Sequence, residues 1–353
     1  MHLSVYLIQD VERVAMTLPR IAALLGLSLA ATHGVQLPNE PSPSEVCAKY
    51  AHIEVPAADL PTAADRQRLM GCDSERLYFG FDRPPRVVDA RKCAHLQWQA
   101  VTVDKGRFSA SGILMMIYAN GRGATRNLDL ALKYSCELDG AANAEITGRI
   151  EHLERLKKKG RTGKEFHICD DHTSGTMGAR CAGVEEEFNS VARQRRRDTL
   201  LSNWRPAEKD AWRELQKTAD EFFAASAANE EDQSGTLRSA FEIRARAQLA
   251  DGLVKALEAF EHGTLPQSTP DEFKRADADL NARYRQLQAH EFQSAALTSV
   301  DFDSIKTAQR VWLRYREAWV KFGTIKYPDV TADSWRTWLT RERIAMWKDI
   351  DLQ

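Results

Sequence analysis

The sequence predicts an all-α protein: a helical-hairpin repeat module, then long helices, then a three-helix terminal domain. Three observations carry that reading. Apolar positions recur at helical spacing from residue 64 onward. A helix, glycine turn, helix plan repeats after about 40 residues, the period of stacked helix pairs. The tail places its aromatic residues on single helix faces. At 353 residues the chain exceeds one average domain of roughly 150 residues, so several modules are expected. With 43% hydrophobic and 28% charged residues, neither wholesale disorder nor a polytopic membrane protein fits. Lys and Arg total 49 against 50 Asp and Glu, which removes the long-range field a dedicated nucleic-acid binder needs.

The first element is the apolar run from Ile21 to Ala31, which follows Arg20 and precedes the proline-rich segment from Leu37 to Pro43. A helix of that length rises only about 17 Å, against a hydrocarbon core of roughly 30 Å, so residues 1–34 read as a signal peptide and not a spanning anchor. Asp10 and Glu12 do not suit a basic leader, which points to Met16 as the true start; cleavage after Ala30 or after Gly34 is compatible with the small residues there. Six cysteines, Cys47, Cys72, Cys93, Cys136, Cys169 and Cys181, lie in the half that follows. An even number in that position suits an oxidising, periplasmic or secreted setting, with the connectivity left open by the count.

Residues 43–160 form the expected repeat module. Ser111 to Asn120 is apolar, Gly121 and Gly123 end that helix where a positive φ is cheap, and Asn127 with Asp129 supplies acceptors at the start of the next. Gly71 to Gly80 and Val88 to Ala94 repeat the plan more loosely. The segment from Ser109 to Glu145 resembles a Sel-one-like repeat, a tetratricopeptide relative. In cysteine-rich members of that family one bridge joins the end of a helix pair to the opening of the next. Cys47 with Cys72 resembles such a bridge, which leaves Cys93 to pair with Cys136.

Residues 161–266 form a helical connector. Val184, Phe188 and Val191, then Leu200 and Trp204, then Trp212, Leu215 and Phe222 fall at helical spacing, and Ser234 to Thr236 reads as the cap of a further helix that Gly263 and Pro266 stop. His167, Cys169, Asp170, Asp171, His172 and Cys181 offer donors within fifteen residues. His167, Asp170 and His172 are therefore weak metal candidates. Spacing favours turn and cap chemistry with a Cys169 to Cys181 disulfide, so no cofactor is expected. The basic cluster from Arg193 to Arg197 follows Glu185, Glu186 and Glu187, and reads as a solvated face.

In the final module, residues 271–353, three helices can be drawn. Leu280, Tyr284 and Leu287 share one face, Ile305, Trp312 and Trp319 a second, and Trp338, Ile344 and Trp347 a third. Asp279 with Leu280, Asn281 and Tyr284, the block Ala308, Gln309, Trp312, Tyr315 and Arg316, and the closing Thr340, Arg341 and Arg343 together resemble the LprI-like lysozyme inhibitor family over residues 271–349. Family members often carry a cysteine after the second block and another before the third; here Trp319 and Trp335 stand near those places, so packing replaces a bridge. The resemblance implies a protein-binding role with lysozyme as partner.

Two readings compete for the polar residues of these blocks. Asn281, Gln309, Arg316, Arg341 and Arg343 can tie the helices internally through carboxylates such as Asp279. Alternatively Asn281, Tyr284, Gln309, Trp312, Tyr315, Arg316, Thr340, Arg341 and Arg343 hold interaction candidates, with Tyr315, Arg316 and Arg341 on an exposed face. From Asp271 on, fourteen Lys and Arg face thirteen Asp and Glu, so no acidic surplus steers a basic partner. No nucleophile elbow, Walker loop, dinucleotide fingerprint or paired-histidine zinc motif occurs, which argues for a binding protein without enzymatic activity. An envelope adaptor without lysozyme affinity is the second reading, a metal-dependent envelope enzyme the third; the oligomeric state stays open. Amino-terminal sequencing of the exported protein is expected to begin after Ala30 or Gly34, and titration with a thiol reagent to find no free cysteine; an intact Met1 with six reactive thiols contradicts both.

Overall fold

A computed structural model of the protein describes residues 43–100, 110–138, 142–160, 163–289, 300–348 and 350. The expected signal peptide lies outside the described residues. Among these there are thirteen α-helices, two short 3-10 turns and no strand, so the fold is all-α. No helix among the described residues is long and apolar enough to cross a membrane.

The first half comprises α1 (Pro43–Tyr50), α2 (Ala63–Arg68), α3 (Ser74–Phe79), α4 (Val87–Gln99), α5 (Ala110–Asn120), α6 (Leu128–Cys136) and α7 (Asn143–Lys159). Helices α3 to α7 pack each on the next. The centre is α5, whose residues from Ala110 to Ala119 are all buried, as expected for a helix that is apolar on every side. Its end follows the predicted chemistry: Gly121 and Gly123 adopt φ of 67° and 96°. A Cβ on Gly123 would also sit 2.5 Å from the Val87 carbonyl oxygen, so the turn admits no side chain there. Asn127 caps α6 by accepting from the backbone N–H groups of Asp129 and Leu130, whereas the Asp129 carboxylate pairs with Lys157.

Three disulfides link the first half and the start of the second: Cys47–Cys136, Cys72–Cys93 and Cys169–Cys181, with Cα separations of 5.6, 6.1 and 5.9 Å. The last is the pair the sequence suggests. The other two correct the expected pairing of Cys47 with Cys72 and Cys93 with Cys136. The reason is the path of α1, which packs on α6 and α7 and not beside the first helix pair, so that Cys47 meets the last residue of α6. Tyr50 and Lys133 fix this placement by bonding Glu154 and the Ala51 carbonyl. Cys72 then faces Cys93 within its own pair.

A 3-10 turn, Ile168–Asp171, leads into α8 (Gly175–Ser202), followed by α9 (Pro206–Asn229), α10 (Arg238–Glu261), α11 (Pro270–Ala289), α12 (Phe302–Lys326) and α13 (Ala332–Met346). Twenty-eight residues long, α8 contributes Met177 and Val184 to the first apolar core and Leu200 and Leu201 to the margin of the second. Buried Glu145 of α7 accepts the backbone N–H groups of Thr173 and Ser174 at 2.8 and 2.6 Å, just before α8 begins. Two arginines of the α8 basic cluster are taken up by α10: Arg193 pairs with Asp251, and with Glu186 of its own helix, and Arg196 pairs with Glu258. Ser234 to Thr236 does not cap α10; the N-cap is Leu237, without a side-chain cap, while Ser234 bonds Asp232.

The second core runs through helices from both the connector and the terminal segment. α12 packs along α9 and against α13, and α13 against α11. Trp319 and Trp335 stack with centroids 5.9 Å apart and planes 17° from parallel, as the replacement of a bridge by packing predicts. Gly323, one turn beyond Trp319, makes room: a Cβ there would lie 2.4 Å from the Trp335 ring.

His95 is buried in the first core, 3.4 Å from the Tyr118 hydroxyl, and burial lowers its pKa to about 4. An unfolded histidine titrates near 6.5. The folded state therefore binds fewer protons, so this contribution is complete above pH 6.5 and is lost as pH falls from there toward 4. Its size is on the order of 3 kcal/mol, set by the gap between 6.5 and about 4. Replacing His95→Gln is expected to flatten the fall in thermal midpoint between pH 6.5 and 4 relative to the unmodified chain, as measured by circular dichroism.

Candidate protein-binding surface

The terminal helices are fixed first by local chemistry. Thr269 and Glu272 exchange capping bonds at the start of α11, where Pro270 is the first helical residue. Those bonds hold the Glu272 carboxyl below the usual carboxylate range, with the Arg341 charge adding to the effect. Asp301 and Thr331 cap α12 and α13 through the backbone N–H groups of Ser304 and Ser334. Helices so defined carry their polar side chains to fixed places.

Arg343 is fully buried. Its two terminal nitrogens donate to both oxygens of Glu230, at 2.8 and 2.5 Å, and its Nε donates to Gln309 at 2.9 Å. Trp347 Nε1 and Ser226 Oγ donate to the same carboxylate at 3.1 and 2.8 Å. The guanidinium lies 4.6 Å from the Trp347 ring centre and 5.3 Å from that of Phe222. Gln309 and Arg343 thus tie the helices internally, but through Glu230 and not the Asp279 that the sequence suggested, which is exposed.

A second group reaches the surface. Arg316 lies 3.1 Å from Glu317 and 3.5 Å from Asp277, and Arg336 lies 3.0 Å from Glu317, so one carboxylate joins two guanidiniums. Both arginines stand 6.0 Å from the ring centre of Phe273 on α11. Burial raises the Glu317 carboxyl, but the hydrogen bond from Arg336 and the two positive charges outweigh that and hold it below its ordinary range. Arg341, with 58% of its side chain exposed, keeps among the described residues one long ionic contact of 3.7 Å, to Glu272, the residue before Phe273. Together these make an aromatic and arginine surface with fixed geometry, in which Arg341 is open, Phe273 and Arg336 are half-buried and Arg316 keeps only 13% of its side chain exposed.

The expected exposed face is therefore corrected in part. Trp312, Tyr315, Thr340 and Arg343 are buried. Tyr315 stacks on Phe222 at 5.2 Å, and burial pushes its phenol well above the usual tyrosine value. The reason is α9, whose aromatic face covers that side of α12. Tyr284 and Gln309 are half-buried; Asn281 is exposed and bonds back to Asp277 of its own helix. Phe273, Glu317 and Arg336 were missed, although a lone aromatic in the polar first turns of α11 was a readable signal.

The segment from Gly263 through α13 now has its blocks in one place. Residues 263–346 match the family model described as lysozyme inhibitor LprI. The LprI match begins at the turn before α11 and ends on the last residue of α13, so Glu230, the partner of Arg343, lies outside it. No curated protein and no solved structure matches the chain.

The metal candidates sit elsewhere. His167 caps the 3-10 turn by accepting from Cys169 N, Asp170 accepts from His167 N and pairs with Lys164 at 2.7 Å, and His172 Nδ1 lies 2.7 Å from the Cys169 carbonyl. Among the described residues no three His, Cys, Asp or Glu side chains converge on a metal-sized site.

Removing one partner of the buried pair strands a charge, at a cost of about 3–5 kcal/mol. Glu230→Gln is therefore expected to lower the urea unfolding free energy by about that amount, while Glu230→Met combined with Arg343→Met loses less than the single change. Equal losses in the two variants contradict a coupled pair.

Proposed function

We propose that this is an exported protein-binding scaffold whose LprI-like helices present the Phe273, Arg316, Arg336 and Arg341 surface to a lysozyme and inhibit it by binding, without turnover. The observation that carries the reading is the match of residues 263–346 to the lysozyme inhibitor family. Export is supported by the apolar run from Ile21 to Ala31 and by three disulfides, which persist in oxidising compartments and not in a reducing cytosol.

Within this proposal the chain divides as its composition suggests. Residues 43–160 act as a Sel-one-like repeat module, 161–266 as a helical connector and 271–353 as the LprI-like domain. Affinity comes from shape and from preorganised guanidiniums, because acidic and basic residues nearly balance in the last module. Arginine and aromatic residues dominate interface energies, and here two arginines are held in place before any partner arrives. An envelope adaptor without lysozyme affinity is the alternative.

Purified mature protein is expected to slow the clearing of a bacterial cell-wall suspension by lysozyme at micromolar concentration. Arg341→Glu, which touches no buried group, is expected to weaken inhibition about tenfold, the scale of an interface hot spot, with no change in thermal midpoint. Absence of both inhibition and lysozyme capture removes the lysozyme reading and leaves the adaptor.

A further inference from the structure

Only three residues join α8 to α9, yet the two helices hardly touch, because α10 packs along both of them. A groove of about 420 Å³ opens over α10 with α8 and α9 as its walls. That volume falls in the range of small-ligand sites. The groove follows α8 from Glu186 to Arg197, a rise of about 16 Å, which is room for about four extended residues.

The lining has a definite polarity. Trp212, Phe223, Leu253 and Val254 contribute to it and are otherwise buried, so they form an apolar floor. Exposed Gln194 on one wall and half-buried Gln216 on the other make no side-chain hydrogen bond among the described residues, and an amide side chain both donates and accepts. The charged groups are unequal in availability. Arg193 is committed to Glu186 and Asp251. Among the described residues exposed Arg246 lies within ion-pair distance of no carboxylate, and Arg197 has one ionic contact, of 3.6 Å, to its neighbour Asp198. Burial raises the carboxyl of Asp220, the acid of the α9 wall, above its ordinary range, and the charges of Arg246 and Arg197 pull against that rise.

We propose that this groove is a binding site for a short peptide with a free carboxylate and an apolar side chain. The carboxylate pairs with Arg197 and Arg246, whose guanidinium forks match its geometry. The side chain lies on the Trp212 and Phe223 floor, the two glutamines pair with the peptide groups, and Asp220 receives the terminal ammonium. Charge complementarity selects this ligand class. A phosphate ester or nucleic acid would set its charge against Asp220 and leave it without a cation, and a purely apolar ligand would leave two guanidiniums and two amides facing it without partners. The site is separate from the LprI-like surface and does not depend on the lysozyme reading.

The test is calorimetric titration of the full chain with alanyl-leucyl-alanine, with its amidated form and with its N-acetylated form. The free tripeptide is expected to bind saturably with one-to-one stoichiometry, and amidation to weaken binding about tenfold through loss of a charge-assisted pair. Acetylation weakens it by a smaller factor. Arg246→Gln, an exposed position, is expected to reproduce the loss for the free peptide and to leave the amidated one unchanged, with the thermal midpoint retained. Ala250→Phe fills the floor and abolishes binding of both, its helical circular dichroism confirming the fold. No saturable heat in the millimolar range, equal binding of free and amidated peptide, or full binding by Arg246→Gln overturns the proposal.

Discussion

The second half of this protein is organised around a carboxylate that ends one helix and is consumed by another 113 residues later. Arginine cannot shed its charge inside a protein, so burying Arg343 completely requires an anion at the same depth. Glu230, at the C-cap of α9, supplies it and accepts in addition from Trp347 and Ser226. Every oxygen and nitrogen of the pair thereby finds a partner in one geometry, which fixes α9 against α12 and α13. The constraint reaches outward. The terminal helices hold their register because Gln309 and the Trp347 ring must meet the same guanidinium.

The two cores reach stability by different means. In the first, short helices bury little surface each, and two disulfides bind α1 to α6 and the first helix pair to itself. A polar tie of Asp59, Arg91 and Tyr118 adds an internal brace. In the second, large rings take over: Trp319, Trp335 and Trp338 pack mutually and receive the edge of Phe260. No cysteine is needed where stacked indoles can hold two helices together, and Gly323 is the concession that lets them approach.

What remains at the surface is correspondingly selective. Arg193 and Arg196, which could have added to a diffuse positive field, are paired off along α8, and the last module is close to neutral. Clusters with fixed geometry survive: guanidiniums braced against Phe273, and a polar groove over α10. Such surfaces recognise shape and hydrogen-bond pattern at short range and do little to steer a partner from a distance.

The sequence by itself determined the all-α class, the helix termini at Gly121, Gly123 and Asn127, the Cys169–Cys181 bridge and the substitution of tryptophan packing for a terminal disulfide. These depend on neighbours in the chain or on residue type, so spacing reveals them. Tertiary structure decided the rest. The path of α1 chose Cys136 for Cys47, α9 buried Tyr315, and Glu230 rather than Asp279 met the buried arginine. In each case the partner lies far along the chain, and helical periodicity says which face is apolar but not which distant helix will cover it.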